Sequence, residues 1–330
     1  MAESAFHILF LAPRGMTDAI LASGLLKRLS DEVDNAAFTV VAGDDTAALF
    51  RELPGLEALI PRGRPGFAGA FALWNRLRRR RWGLVLDPDG LRLSGLLPSR
   101  RKARPRSTGV EPGHRVLEAA RLLKLEDEPP APFLFTSPET QERAVQLVGD
   151  GGPLLAVAPA APWIGQAWPV ERFARAAVHL LSDSGPLPDG RLLIVGGPQD
   201  WKAAESLRRS VPRERWIDLT GESDPLVVYA ALARARLYIG SAIAVTHMAA
   251  AAGAPTLGLY GPNDEAREGT WGEHSRVVRG PRSFAAIRTL DPKLDRPVCH
   301  MLDLKIESVL EAAERLLSDT APKERRRGHG

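Results

Sequence analysis

Asp18 is the carboxylate whose setting best suits chemistry. It follows an apolar run, Phe6 to Ala12, and the loop Pro13-Arg14-Gly15-Met16-Thr17, and it stands at the head of an amphipathic run, Ala19 to Leu29. A partly desolvated carboxylate in that position can take the proton of an attacking hydroxyl. An aspartate there can equally serve as a helix N-cap, and the residues alone leave both readings open. A second candidate lies in the stretch 237–262, LYIGSAIAVTHMAAAAGAPTLGLYGP, which reads as strand, loop, alanine-rich helix and strand, with Gly253 ending the helix. The loop Ser241-Ala242-Ile243-Ala244 then presents backbone amides at the carboxyl edge of a sheet, where diphosphates bind. His247, in the first turn, can donate to a phosphate oxygen or satisfy a backbone carbonyl. The alternative is a buried crossover helix whose alanines let it lie close to the sheet. Asp200, just after Gly196-Gly197-Pro198, suits a ribose hydroxyl or a cap, and Arg14 offers a cation near Asp18.

The elements that must position these residues alternate. In the first half, strands are expected at Phe6–Ala12, Phe38–Ala42, Ala58–Ile60 and Gly83–Asp87. Helices are expected at Ala19–Leu29, Thr46–Leu53, Phe67–Leu77, Leu91–Leu97, His114–Leu125 and Pro138–Val148, with a basic loop between the fourth and fifth. The proline-rich Glu126 to Pro132 breaks the rhythm, and the boundary falls near Asp150 to Pro153. A second alternation runs through strands at Leu154–Ala158, Arg191–Gly196, Trp216–Leu219, Leu237–Gly240 and Thr256–Tyr260, interleaved with helices, and closes on Lys305–Leu317. This predicts an α/β fold with two Rossmann-like domains, 1–150 and 151–320, whose parallel sheets face a central cleft, followed by a disordered basic tail at 321–330.

Composition narrows the function classes. With 330 residues, 44% hydrophobic and 25% charged, the chain is globular. The single cysteine, Cys299, excludes an intrachain disulfide framework and a multi-cysteine zinc site. No basic leader precedes an apolar run and no stretch reaches the roughly 18 apolar residues of a membrane span, so a cytoplasmic protein is expected. The net charge is +4, with basic residues clumped at 76–81, 100–106 and 323–327. Such clumps can hold anionic lipid or form solvated faces. No nucleic-acid motif is present, nor the aromatic interleaving of a single-strand binder. Neither half carries G-x-G-x-x-G after its first strand, which argues against a nicotinamide or flavin enzyme, and no P-loop occurs.

The ordered set of motifs resembles glycosyltransferase family 9, the bacterial heptosyltransferases that use ADP-heptose in building the lipopolysaccharide core. It comprises the first strand with its loop and Asp18; 83–94, GLVLDPDGLRLS; Gln166-Ala167-Trp168-Pro169; Ile217-Asp218-Leu219-Thr220-Gly221; His247 to Gly253; and Gly261-Pro262-Asn263-Asp264. The resemblance covers nearly the whole chain. It implies a GT-B architecture and a metal-independent, cofactor-free glycosyltransferase with its acceptor on the first domain and its nucleotide sugar, ADP-heptose by preference, on the second. Asp18 would be the catalytic base, with acceptor contacts at Arg14 and Gly15. Donor contacts would come from Gln166, Gly197, Asp200, Ser241, Ala242, Ile243, Ala244 and His247. The acceptor would be a lipid-linked saccharide, placing the protein in the cytoplasm or peripherally at the inner membrane. Two positions depart from the family: Gln166 stands where a lysine is usual, and Ser241-Ala242-Ile243-Ala244 lacks the usual acid, hydroxyl and glycine. These departures keep a second reading in view, a non-catalytic relative that binds a nucleotide sugar or a partner protein.

Overall fold

The computed structural model describes residues 5–105, 113–222 and 224–321. Arg106 and positions 322–330 of the expected tail lie outside them. The chain forms two compact units, each built on one parallel sheet. The first comprises Met1–Leu147 together with two short segments from later in the chain, Glu222–Ala231 and Asp264–Trp271; the second comprises the remainder.

The sheet of the first unit contains β1 (Phe6–Leu11), β2 (Ala36–Ala42), β3 (Leu56–Pro61), β4 (Trp82–Leu86) and β5 (Ser99–Ala103), in the order β3-β2-β1-β4-β5. Phe6 pairs with Ala36 on one side of β1, and Ile8 with Leu84 on the other. Ile8, Leu9, Phe10 and Leu11 are wholly buried, as a strand covered on both faces requires. Chain order reverses between β1 and β4, so the loops leaving these two strands flank the crevice where ligands of open α/β sheets bind. The sheet of the second unit contains β6 (Leu154–Ala158), β7 (Arg191–Ile194), β8 (Trp216–Asp218), β9 (Ala235–Ser241), β10 (Thr256–Tyr260) and β11 (Ser275–Arg279), in the order β11-β10-β9-β6-β7-β8. Its reversal lies between β6 and β9. No helix among the described residues is long and apolar enough to cross a membrane.

Three expectations are corrected. The basic loop contains β5, a parallel edge strand in which Leu84 pairs with Arg101; its Arg100, Arg101 and Lys102 side chains are exposed while the backbone completes the sheet. Leu91–Leu97 is not an α-helix but a 3-10 turn over Arg92–Leu96. The expected helix Ala19–Leu29 is two helices, Met16–Leu21 and Gly24–Glu32. The buried Ser23 hydroxyl at the break donates to the Ile20 carbonyl, 2.6 Å, and accepts from the Phe133 amide, 2.9 Å. Gly24 admits the same distant segment: a Cβ there would lie 2.4 Å from the Ala131 carbonyl oxygen and 2.5 Å from that of Pro130. The proline-rich segment thus packs into the gap between the helices, and the short helix carrying Asp18 is set apart from the longer one.

Gly24→Ala separates helix propensity from packing. Alanine is favoured in an unconstrained helix by about 1 kcal/mol, whereas overpacking here costs about 1–3 kcal/mol. Chemical denaturation is expected to show net destabilisation; a gain in stability would contradict the close approach.

Candidate functional site

Asp18 is the third residue of its helix. The N-cap position belongs to Gly15, whose extended φ of −77° and ψ of 140° start the turn without a side-chain bond. The capping alternative for Asp18 is therefore set aside: its carboxylate is left for other partners. The helix Arg115–Arg121 packs beside the Met16–Leu21 helix and brings Arg115 Nε to 3.3 Å from Asp18 Oδ1. The Asp18 side chain is 35% exposed, open to solvent yet substantially covered. That burial pushes its carboxyl above the ordinary range; Arg115 pulls it down, Asp89 pushes it up, Arg267 pulls down and Glu118 pushes up. Desolvation outweighs the cations, so the group is a stronger base than a free aspartate, as proton abstraction requires.

Two of these neighbours reach the site through tertiary structure. Asp89 sits in Asp87-Pro88-Asp89-Gly90, the loop leaving β4 across the crevice from the β1 loop. Arg267 comes from the short helix Glu265–Glu268 and pairs with Glu118 at 3.3 Å. His114 fastens that late segment. As N-cap of the Arg115–Arg121 helix it accepts from the Val116 amide through Nδ1, 3.2 Å, and donates from Nε2 to the Gly269 carbonyl, 2.9 Å. Its ring also lies 4.7 Å from that of Trp271. The bond accepted at Nδ1 needs the neutral imidazole, and burial depresses the His114 pKa, against weaker opposing pulls from the Gly269 carbonyl and Glu118.

Arg14 is exposed and Gly15 borders Asp18, whose Oδ2 is 3.4 Å from where a Cβ on Gly15 would sit. Arg62, at the end of β3, donates through Nη2 to the Ala12 carbonyl, while its buried Nε and Nη1 make no hydrogen bond. Burial lowers the Arg62 pKa, against the attraction of Asp89, and Arg14 adds repulsion. Asp87 is fully buried and raised by desolvation; Ser94 and the Leu91 amide oppose the shift. No sequence motif assigns a role to Arg62, Asp89, Arg115, Glu118 or Arg267. Asp89 lay in a motif already singled out; the others carried no local signal.

The second unit gathers the donor-side candidates at the carboxyl ends of β6, β7 and β9. Gln166 ends a 3-10 turn, Ile164–Gln166, and its side-chain amide donates to Asn263 Oδ1 in the loop after β10. Arg279 clamps that loop by donating to the Gly261 and Asn263 carbonyls. The Gly197 amide donates to Asp200 Oδ2, 2.8 Å, so Asp200 closes the turn after β7. Ser241, Ala242 and His247 are buried, whereas Ile243 and Ala244 are partly accessible. Ile243 is the N-cap of the helix Ala244–Ala251 and supplies no side-chain acceptor, so the helix end keeps its positive character. Beneath it, the Thr246 hydroxyl bonds to the Ser241 carbonyl and lies 2.9 Å from Tyr238 Oη. A Cβ on Gly240 would fall 2.3 Å from that Tyr238 oxygen, so glycine lets the phenol pass beneath the loop. Trp168 is structural: it is buried, with Nε1 donating to the Leu304 carbonyl at 2.9 Å. A groove of about 510 Å³ opens between the β6 loop and the start of the helix Trp201–Ser210, lined by Ala160, Trp163, Gln199, Asp200 and Lys202 among others. Its size suits a small organic ligand.

A family model for glycosyltransferase family 9 (heptosyltransferase) matches residues 99–291. Among solved structures, the chain is similar to a glycosyltransferase family 9 protein from Veillonella parvula, at 18% identity and TM-score 0.77, covering 96% of this chain and 99% of that one. The E. coli ADP-heptose lipopolysaccharide heptosyltransferase II matches at 17% identity and TM-score 0.74, covering 95% and 99%. The E. coli heptosyltransferase WaaC, solved with ADP, matches at 19% identity and TM-score 0.70, covering 94% and 99%. No curated protein matches the chain. The fold shared with these structures is GT-B, each unit supplying one parallel α/β sheet.

The raised Asp18 pKa fixes the sign of a stability effect. The stability tied to its protonated form is complete below the unfolded pKa of about 3.9 and is lost as pH rises through the higher folded value. Asp18→Asn is therefore expected to raise Tm at pH 7, with the gain shrinking toward pH 4. A lower Tm for the variant at pH 7 would show that the folded state favours the ionised group.

Proposed function

Because the chain belongs to glycosyltransferase family 9, we propose that it transfers a sugar, a heptose by preference, from a nucleotide sugar to a lipid-linked saccharide of the lipopolysaccharide type. The observation that carries this reading is Asp18: a carboxylate desolvated enough to be basic, at the chain-reversal point of the first sheet, beside Arg115 and Arg267. In the reaction the acceptor hydroxyl attacks the anomeric carbon and its proton passes to Asp18. The bond from that carbon to the diphosphate oxygen breaks, and the nucleoside diphosphate leaves with the electron pair. Developing negative charge on the leaving group calls for fixed dipoles and cations.

In this reading the diphosphate is held by the second unit. The uncapped amino terminus of the Ala244–Ala251 helix supplies amide dipoles that no side-chain substitution removes. Gln166 supplies a neutral donor where a lysine is usual, so nucleotide affinity should rest more on backbone groups; Lys202 lines the adjacent groove as a cation. The acceptor is assigned to the first unit, with the exposed Arg14 and Gly15 beside Asp18 meeting its anionic groups. The transfer is taken to need no metal. Work on a lipid-linked acceptor would place the protein at the cytoplasmic face of the inner membrane.

The test is transfer from ADP-heptose to a truncated lipopolysaccharide acceptor, beside calorimetric titration with ADP. Asp18→Asn is expected to cut turnover by about 100-fold or more while leaving ADP affinity unchanged, because the amide keeps the shape and cannot accept the proton. A fully active variant would end the base assignment. Wild-type protein that binds ADP yet transfers nothing from ADP-, UDP- or GDP-sugars would instead mark a non-catalytic binding relative, the reading that the altered donor loop supports.

A further inference from the structure

The helix Phe67–Leu77 is attached to the first unit by only part of its length. Leu73 and Leu77 enter the core under β1 and β4, with Trp74 packed partly against them. The six residues before Leu73, Phe-Ala-Gly-Ala-Phe-Ala, carry no polar side chain, and five of the six are exposed. Phe67 is 87% and Phe71 55% exposed. A helix that faces water ordinarily turns charged residues outward; this one turns phenylalanine and alanine outward instead.

The exposed rings are ordered. Phe67 and Phe71 stack at 6.4 Å with 17° between planes, Phe71 lies 5.7 Å from Trp74, and the Arg78 guanidinium covers Trp74 at 4.6 Å. The spacing i, i+4, i+7, i+11 places all four on one face. The helix start is also fixed firmly: a Cβ on Gly69 would lie 2.0 Å from the Arg64 carbonyl oxygen, so the preceding loop folds tightly against the first turn.

Positive charge follows the far end of the helix. From Ala58 to Leu86 the sequence holds seven arginines and no acidic residue. Arg80 is taken by Glu57 and Arg78 by Trp74, while Arg76, Arg79 and Arg81 are exposed. Leu97 joins the same core cluster as Leu73 and Leu77, with its neighbour Leu96 70% exposed, and β5 then adds the exposed Arg100, Arg101 and Lys102.

From this arrangement we infer that the first two turns of the Phe67–Leu77 helix insert into the headgroup region of an anionic membrane, with the arginines at 76–81 and the β5 edge resting on lipid phosphates. Charge decides the occupant. A second copy would bring one arginine-rich cluster against another, and a purely electrostatic partner would leave the phenylalanines in water. An anionic lipid interface accepts both, rings at the acyl boundary and guanidiniums at the phosphates. The inference deepens, and rests on, the lipid-linked acceptor proposed above, since such a substrate is presented at a membrane surface.

The experiment is flotation of the full chain with vesicles of neutral phosphatidylcholine and with vesicles containing phosphatidylglycerol, with neither donor nor acceptor present, so that it succeeds or fails independently of transfer. Wild-type protein is expected to float with the anionic vesicles and at least about tenfold less with the neutral ones. Phe67→Ser/Phe71→Ser, at exposed positions, should keep the wild-type Tm and lose about tenfold or more in apparent affinity. Arg79→Glu/Arg81→Glu should lose at least as much, since each basic residue at such a surface is worth about fivefold. High salt should weaken wild-type binding without abolishing it. Equal flotation of Phe67→Ser/Phe71→Ser and wild type would overturn the inference. So would indifference to lipid charge, or sedimentation showing a wild-type dimer that the phenylalanine variant converts to monomer.

Discussion

The first unit is organised around the cost of keeping the Asp18 carboxylate partly out of water. Burial alone would push its pKa further up, and closer cations would pull it back down, so the two act as opposing limits. The structure holds it between these limits, with Arg115 close and Arg267 engaged by Glu118, while Asp89 and Glu118 oppose the cations. The surrounding construction serves that balance. Gly15 takes over the cap, Ser23 and Gly24 break the helix so that a short segment carries Asp18, and His114 fastens the late segment bearing Arg267. The raised pKa costs local stability above the ordinary aspartate range, a cost that the proposed role as a base would account for.

The second unit relies on backbone rather than side chains. Its β9 loop is braced from below by the Thr246 hydroxyl between the Ser241 carbonyl and the Tyr238 phenol, and desolvation pushes that phenol's pKa far up, so it stays neutral. A braced loop under an uncapped helix end offers dipoles whose direction does not depend on the residues lost at positions 242–244. Gln166, Asn263 and Arg279 form a linked series that fixes the neighbouring loops in the same way. The departures from the family pattern therefore fall on side chains, while the frame that would orient phosphate oxygens remains.

Much of this fold was legible in the sequence because it is written in apolar periodicity. The helices Phe67–Leu77 and Pro138–Val148 and the strands Leu154–Ala158 and Thr256–Tyr260 lie where the pattern put them. β5 was missed because an edge strand of Ser-Arg-Arg-Lys-Ala shows its charges to solvent and joins the sheet through its backbone. The break at Ser23 was missed because its cause is a segment more than a hundred residues away. Asp18 could be singled out by its place after the first strand. Arg115 and Arg267 could not, since only tertiary packing brings them near it, and the Phe67–Leu77 helix was visible as a helix but not as one left partly uncovered.

The central claim is that Asp18 is held as a desolvated, cation-tempered base. The direct measurement is a titration of its side-chain carboxyl by carbon NMR in the full chain, in wild type and in Arg115→Gln. The account predicts a midpoint above the ordinary aspartate value of about 3.9, moving further up when the Arg115 charge is removed. A wild-type midpoint at or below the ordinary value, unmoved by Arg115→Gln, would contradict it.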